Sequence, residues 1–149
     1  MNVKEIMTTK VNTLSPEMNA REALDLLIKL QISGLPVVDE HKKLIGMFTE
    51  KGVLRTLLPG YIDKVGSFTY QENPKMIKQK VDALQAMKVK DIMRLEVVTV
   101  DEETALSEVA RIMLTQKIRR IPILNKDKQI IGIVAREDVV KAFFSKEFN

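Results

Sequence analysis

The chain has 149 residues, of which 45% are hydrophobic and 30% charged, and its formal net charge at pH 7 is +4. This length allows one domain or two small units that share a core, and the mild basic excess favours anionic partners without indicating nucleic acid. No apolar run approaches the roughly 18–20 residues that span a bilayer, and the N-terminus lacks the apolar core of a signal peptide. The lack of cysteine and the single histidine, His41, exclude a disulfide framework and a multi-histidine metal site, so we expect a cytoplasmic protein.

The first predicted element is a strand over the β-branched stretch Val11–Leu14. A helix follows it, because apolar residues recur at helical spacing through residues 20–28. Asn19 and Glu22 have the spacing of a capping box at the start of this helix.

Two short apolar runs come next, Leu35–Val38 and Leu44–Phe48, with about five polar residues between them. Such a loop is too short for a parallel crossover, so the two runs are predicted to form an antiparallel hairpin. A second helix, Lys51–Leu58, completes the order β-α-β-β-α in residues 1–58.

Residues 59–88 are predicted to link this unit to a second one. The first half, residues 59–74, is rich in turn formers and is typical of a loop. In the second half, apolar Ile77, Val81 and Leu84 alternate with lysines, which favours a linking helix with a solvated lysine-rich face.

The remaining residues, 89–149, repeat the first unit at a constant shift of 86 positions. KEIM falls on KDIM, and ISGLPVVDEHKKLIG falls on IRRIPILNKDKQIIG without a gap. The second unit is therefore also predicted to be β-α-β-β-α, with its last helix over Glu137–Phe144. Ala105 stands at the cap position of its first helix, so Thr104 is the expected alternative cap. Because a unit of about 55 residues is marginal alone, we expect the two sheets to pack against each other about a pseudo-twofold axis.

No catalytic motif accompanies these elements. The patterns GxSxG, GxxxxGK[ST] and GxGxxG are absent, and no pair of carboxylates stands in an apolar context. On these residues alone, the sequence does not favour an enzyme.

Both repeats carry V-x-[DE]-I-M, then a strand exit of the form T-[VL]-[SD]-x-[DE], then h-P-h-h-[DN], and then G-h-h with part of a following [ST]-x-x-D motif, where h is apolar. This order, found twice, resembles the cystathionine-β-synthase (CBS) domain, and the tandem resembles a Bateman module. The resemblance covers Val3–Leu58 and Val89–Phe144. It implies an α/β (α+β) fold and a regulatory module that binds AMP, ADP, ATP, S-adenosylmethionine or a cyclic dinucleotide in clefts shared by the repeats. It also implies a homodimer and an effector protein, with no membrane partner.

Neither repeat keeps the complete [ST]-x-x-D motif. The first has Thr49 but Gly52 in place of the aspartate, whereas the second has Asp138 but Ala135 in place of the hydroxyl. The resemblance implies that the Asp138 cleft takes residues from the first repeat: Ser15, Ala20, Ile32, Ser33 and Gly34. It implies that the Thr49 cleft takes residues from the second repeat: Asp101, Ile118, Arg119, Arg120 and Pro122. The Asp138 cleft is the expected ribose site, because glycine cannot replace a carboxylate acceptor.

Simpler interpretations remain open for the same residues. Asp138 and Thr49 could each cap a helix, and Met47 and Ile133, at strand ends, could belong to the core or contact adenine. Arg119 and Arg120 offer donor forks suited to phosphate in either cleft, but they could also pair with Glu137, Asp127 or acids of a dimer partner.

Two other functions compete with nucleotide sensing. The first is a ligand-independent dimerisation or assembly module, with an interface formed by Phe143, Phe144 and Phe148. The second is nucleic-acid binding through the basic linker helix, which is disfavoured because aromatic residues make up only 5% of the chain and no recognition motif is present.

Overall fold

The structure is a computed structural model that describes residues 1–58 and 74–148. At the C-terminal end, the side chains are described only as far as Ser145. It is a mixed α and β fold with two small sheets, as predicted. The loop expected over residues 59–73 lies outside the described residues. The chain divides into two compact units, each formed from more than one segment of the sequence.

The unit that we call the first-repeat unit comprises Thr13–Asp39 and Ile45–Glu96. Its described elements are α1 (Ala20–Leu30), β1 (Gly34–Val38), β2 (Leu44–Thr49), α2 (Glu50–Leu57), α3 (Pro74–Leu84) and the short α4 (Val89–Ile92). The hairpin strands pair as a two-stranded sheet, and the linking helix predicted after residue 74 is present as α3.

The start of the first-repeat unit differs from the prediction. The strand expected over Val11–Leu14 is reduced to one parallel bridge between Leu14 and Val37. Only Leu14 is buried there, while Asn12 and Thr13 are exposed, so a longer ladder would bury nothing more. The predicted N-cap is confirmed, because Asn19 Oδ1 accepts the backbone N–H groups of the second and third residues of α1.

The unit that we call the second-repeat unit comprises Met1–Asn12, Glu40–Leu44 and Val97–Asn149. Its elements are a 3-10 turn (Val3–Glu5), β3 (Val100–Asp101), α5 (Leu106–Gln116), β4 (Arg120–Leu124), β5 (Ile130–Ala135) and α6 (Arg136–Phe148). Strand β4 pairs in parallel with β3 and antiparallel with β5, which confirms the predicted order β-α-β-β-α.

One predicted cap in the second-repeat unit is wrong. Ala105 is the N-cap of α5, and its methyl group can neither donate nor accept a hydrogen bond. The Thr104 hydroxyl donates instead to Asp101 Oδ1 at 3.2 Å, because that carboxylate already organises the preceding turn by accepting the Glu103 N–H.

Each unit contains the segment that precedes the other repeat in the sequence. Residues 1–12 belong to the second-repeat unit, and residues 88–96 belong to the first-repeat unit. Four isolated bridges hold these leading segments: Asn2–Ala105, Thr8–Ile133, Asn19–Lys88 and Met47–Arg94. The last two are the first two displaced by 86 positions, so the duplication extends to the hydrogen bonding of the leading segments.

Two apolar cores stabilise the units, one in each. In the first-repeat unit, Phe48, Leu27 and Val37 are fully buried with residues of the leading segment and of α3. In the second-repeat unit, Ile121 and Ile123 of β4 are buried against α5. Removal of this apolar surface from water is the main stabilising term for each unit.

Candidate functional site

The candidate site lies where β4 and α6 begin. Strand pairing places Arg120, at the start of β4, opposite Ala135, at the end of β5. The chain enters α6 directly after Ala135, and the Arg136 N–H donates to the Arg119 carbonyl at 2.8 Å. This bond holds the first turn of α6 beside Arg119, which precedes β4, and Arg120, which begins it.

A pocket of about 460 Å³ lies at this junction, within the size range of ligand sites. We call it the cationic pocket. It is lined by Arg119, Arg120, Ala135, Arg136, Glu137, Val140 and Lys141. Every lining residue belongs to the second-repeat unit.

The electrostatics of the cationic pocket favour an anion. Four lining side chains are cations and one is a carboxylate, which gives a net charge of +3 at neutral pH. None of the four cations forms an ion pair with a carboxylate in the part of the chain that the structure describes. Guanidinium groups donate through a rigid fork that fits phosphate oxygens, so the pocket has the chemistry to hold a phosphorylated ligand.

The structure brings three of the predicted site residues together in the cationic pocket: Arg119, Arg120 and Ala135. Asp138 does not line it. Its Oδ2 accepts the Ala135 N–H at 3.2 Å, which places the carboxylate at the N-terminal cap of α6. Among the side chains that the structure describes, which end at Ser145, its other oxygen has no partner, so it stays available to a donor.

Several other predicted site residues are buried in the cores. Ala20, Gly34, Pro122 and Met47 expose little or none of their surface. Ile118 and Ile32 pack at the edges of the two cores, and Ile133 pairs with Thr8 of a leading segment. The core interpretation of Met47 therefore has structural support.

The polar residues predicted in the first-repeat unit make local contacts. Thr49 Oγ1 accepts the Gly52 N–H at 3.0 Å and caps α2. Ser15 Oγ accepts the Glu17 N–H at 3.2 Å. The exposed Ser33 accepts the first N–H of α2 on its carbonyl, which leaves its hydroxyl to solvent.

Four lining residues were missed by the sequence interpretation: Arg136, Glu137, Val140 and Lys141. Their spacing of one, four and five positions places them on one side of a helix. The spacing is visible in the sequence, but it does not show that this side of the helix faces the pocket. The family motif includes only Asp138 on the same helix.

A second cavity, of about 840 Å³, opens at the other end of β3 and β4. It is lined by Thr99, Val100, Asp101, Glu102, Glu103, Leu124, Asn125, Lys126, Asp127 and Lys128. Several of its polar groups are already engaged in the turns that build it: Asp101 accepts the Glu103 N–H, and Asn125 Oδ1 accepts two backbone N–H groups. We therefore regard the cationic pocket as the better candidate site. The described part of the chain holds no group of three or more acidic or histidine side chains arranged for a metal ion.

Comparison with known proteins identifies the family. The model of the CBS domain matches residues 3–59 and 89–145, the two repeats found in the sequence. The chain belongs to the CBS domain family. It is 30% identical to the CBS domain-containing protein CBSX1, chloroplastic, of Arabidopsis thaliana over 94% of this chain and 63% of that protein. It is 33% identical to inosine-5'-monophosphate dehydrogenase of Aquifex aeolicus over 87% of this chain but only 22% of the enzyme.

Solved CBS pairs have the same fold. CBSX2 in complex with AMP superposes with a TM-score of 0.75 at 28% identity, covering 98% of both chains. The CBS domain pair of MJ0100, in complex with 5'-methylthioadenosine and S-adenosyl-L-methionine, gives a TM-score of 0.70 at 26% identity, covering 96% of this chain and 99% of that one. These neighbours confirm the CBS-pair architecture expected from the sequence. Among the helices of residues 1–58 and 74–148, none combines the length and apolar character needed to cross a bilayer.

Proposed function

We propose that this CBS pair is a regulatory module that holds an adenosine-containing ligand at the cationic pocket of its second repeat. AMP, ADP, ATP and S-adenosylmethionine are the candidate ligands. The observation that carries the proposal is the convergence of four cationic side chains where β4 and α6 begin. The complexes of CBSX2 with AMP and of MJ0100 with S-adenosyl-L-methionine support the adenosine class of ligand.

Each part of the ligand has a proposed partner in this unit. The guanidinium groups of Arg119 and Arg120 bind phosphate oxygens through charge-assisted hydrogen bonds. The free oxygen of Asp138 accepts a ribose hydroxyl while its other oxygen keeps the cap of α6. Val140, on the side of α6 that lines the pocket, offers an apolar surface.

The contribution of the first repeat stays a prediction from the family resemblance. Ser15 and Ser33 have exposed side chains and are the candidates with polar groups to offer. Ala20 and Gly34 are buried, so a direct contact from either would involve little surface. The division into a first repeat (residues 1–58), a linker (59–88) and a second repeat (89–149) likewise stays a proposal.

Thermal unfolding with the four candidate ligands tests the proposal. A ligand at about 100 times its dissociation constant adds about 2.7 kcal/mol to the free energy of unfolding, which raises the melting temperature by a measurable amount. Each variant is compared with its own ligand-free form, because both Asp138→Ala and the control Thr49→Ala lose a helix cap. We expect Asp138→Ala and Arg120→Gln to lose most of the ligand-induced shift and Thr49→Ala to keep it. If none of the four ligands moves the wild-type transition, the proposal is wrong.

We propose that the module regulates an effector protein and does not itself catalyse a reaction. The chain spans 63% of CBSX1 and 22% of the dehydrogenase, so the activity of those whole proteins does not carry over. We also propose a cytoplasmic location, which cell fractionation would test.

A second candidate function is assembly through exposed apolar residues on the helices of each repeat, with a second copy as the partner. Four exposed apolar residues stand at equivalent positions of the two repeats: Ile28 (63% exposed), Leu54 (54%), Leu114 (74%) and Val140 (48%). Phe143 and Phe144 are further exposed apolar residues on α6. Sedimentation equilibrium of wild-type protein and Leu114→Asp tests this role. A wild-type dimer that the substitution converts to monomer supports homodimerisation, and a wild-type monomer contradicts it.

A further inference from the structure

We infer that the cationic pocket selects ligands that carry a di- or triphosphate group over monophosphates, and that it disfavours the sulfonium cation of S-adenosylmethionine. This inference rests on the proposed function, since it concerns the ligand class of the same pocket. It depends mainly on Arg136 and Lys141, which the sequence motif of the family did not point to.

The first argument is the number of charges. A phosphate monoester at pH 7 carries about −1.5 to −2, which leaves part of the pocket's net charge of +3 uncompensated. Each further phosphate brings at least one more negative charge and more acceptor oxygens to pair with the remaining cations. A sulfonium ligand brings an additional positive charge and is repelled by all four.

The second argument is the distance over which the cations are spread. Arg119 and Arg120 lie at the start of β4, whereas Lys141 lies five residues along α6 from Arg136. At 1.5 Å per residue this is about 7.5 Å of helix rise, which is longer than a single phosphate group. The cations are therefore spread along a path suited to a chain of phosphates.

The third argument comes from the other repeat. The positions equivalent to Arg119, Arg120, Arg136 and Lys141 hold Ser33, Gly34, Glu50 and Arg55. The first repeat forms the same backbone without this concentration of charge, so the fold does not require it. A cation at the first position of a helix is unfavourable to the helix dipole, and four cations gathered in one pocket repel one another. A polyanionic ligand removes both penalties.

Isothermal titration calorimetry on the full chain tests the selectivity, with EDTA present to exclude metal-bound nucleotide. The ligands are ATP, ADP, AMP, adenosine, S-adenosylmethionine and sodium tripolyphosphate. We expect ATP to bind at least tenfold more tightly than AMP, and S-adenosylmethionine more weakly than AMP. The affinity for ATP should fall as salt rises.

Two variants and a matched control separate the local contacts from net charge. Arg136→Gln and Lys141→Gln should each weaken ATP about tenfold and AMP by less than about threefold, because they remove partners of the outer phosphates. Arg111→Gln makes the same change in net charge on α5, outside the pocket, where Arg111 pairs with Glu108. It should leave the affinity for ATP within about twofold of wild type.

The outcomes distinguish this inference from the proposed function. Equal affinities for AMP and ATP, or tightest binding of S-adenosylmethionine, overturn the inference and leave the nucleotide function in place. Binding of tripolyphosphate with no binding of adenosine compounds overturns the nucleotide function and supports a polyphosphate pocket. Failure of tripolyphosphate and of every nucleotide to bind overturns both.

Discussion

The two repeats form the same backbone bonds where the second helix begins, but they place different side chains around it. In the second-repeat unit the Arg136 N–H donates to the Arg119 carbonyl at 2.8 Å, and in the first-repeat unit the Glu50 N–H donates to the Ser33 carbonyl at 2.9 Å. The geometry is duplicated while the charge is not. This contrast shows that the repeat forms the same backbone whether or not cations surround the start of its second helix.

The helix caps show a second contrast. A hydroxyl followed three positions later by a carboxylate has the spacing of a capping box. The first repeat keeps only the hydroxyl, which accepts the Gly52 N–H, and the second keeps only the carboxylate, which accepts the Ala135 N–H. Each repeat has therefore retained the half of the motif that stabilises its own helix, so incomplete motifs do not by themselves indicate a lost site.

The largest expected effects come from two equivalent glycines under the leading segments. A Cβ built on Gly46 would lie 2.9 Å from the Arg94 carbonyl oxygen, whose residue pairs with Met47. For a Cβ built on Gly132, the three nearest atoms all belong to the Met7 side chain, the closest at 2.5 Å. We expect Gly46→Ala to lower the free energy of unfolding by about 2–3 kcal/mol and Gly132→Ala by about 1–2 kcal/mol, measured by urea denaturation.

Double variants test the reason for this difference. Met7→Ala should recover part of the loss caused by Gly132→Ala, because the obstructing atoms belong to that side chain. Met93→Ala should recover little of the loss caused by Gly46→Ala, because the backbone oxygen remains. Equal recovery at both sites would contradict this explanation.

The cap contrast predicts effects of intermediate size. Thr49→Ala should lower the free energy of unfolding by about 1 kcal/mol, while Thr49→Ser should cost much less because serine keeps the capping oxygen. In the other repeat, Ala135→Thr completes the capping box and should stabilise the chain by about 0.5–1 kcal/mol. A destabilising Ala135→Thr in urea denaturation would show that the two helix starts are less alike than their backbones indicate.

The helices α1 and α5 end alike, on residues in the left-handed conformation. Gln31 and Lys117 both have φ of 55°, which is unfavourable for a residue with a side chain. We expect Gln31→Gly and Lys117→Gly each to raise the free energy of unfolding by about 0.5–1 kcal/mol in the same assay, after the entropic cost of glycine is included. If glycine stabilised the chain at one position and destabilised it at the other, the two helix ends would not be equivalent.

The smallest expected effect concerns an ion pair at each leading segment. The pKa of Glu17 is lowered from 4.5 to about 2, first by a hydrogen bond from Lys88 and then by one from Lys90. A lowered carboxyl pKa stabilises the folded state above the unfolded value near 4.5, and this contribution is lost as the pH falls towards 2. Among the described residues, the equivalent Glu103 forms one ion pair, with Lys4 at 3.7 Å, and accepts a hydrogen bond from Asn2 Nδ2 at 3.3 Å.

Melting curves across this pH range measure the effect. Glu17→Gln should melt slightly below wild type at pH 7 and converge with it near pH 2, and 1 M salt should shrink the difference because the pair is exposed. Glu103→Gln, the matched control, should show a smaller difference at pH 7. A difference for Glu17→Gln that persists at pH 2 would contradict the assignment to the ion pairs.

Much of the fold could be predicted because it depends on local patterns. Helical spacing located α1 and α5, and the length of the polar loops determined the hairpins. The helices after them begin one residue earlier than predicted, at Glu50 and Arg136. The exchange of the leading segments could not be predicted, since it rests on bridges such as Thr8–Ile133 between positions more than one hundred residues apart.

The candidate site was predictable only in part. Arg119 and Arg120 were found because two cations before a buried strand are unusual. Arg136 and Lys141 were missed because cations on a helix normally face solvent, and only the tertiary placement of α6 beside β4 brings them into the pocket. Ala20 was proposed from the family resemblance alone, and because a resemblance in sequence carries no information about burial, its buried position could not be foreseen.

The central claim is that the cationic pocket of the second repeat binds a nucleotide. Amide chemical-shift perturbation in isotope-labelled protein, titrated with ATP, tests it most directly. We predict that the largest shifts fall on residues 119–120 and 135–141 and that Arg120→Gln weakens them. No shifts with ATP, or shifts confined to residues 99–103 and 124–128 at the other cavity, would contradict the claim.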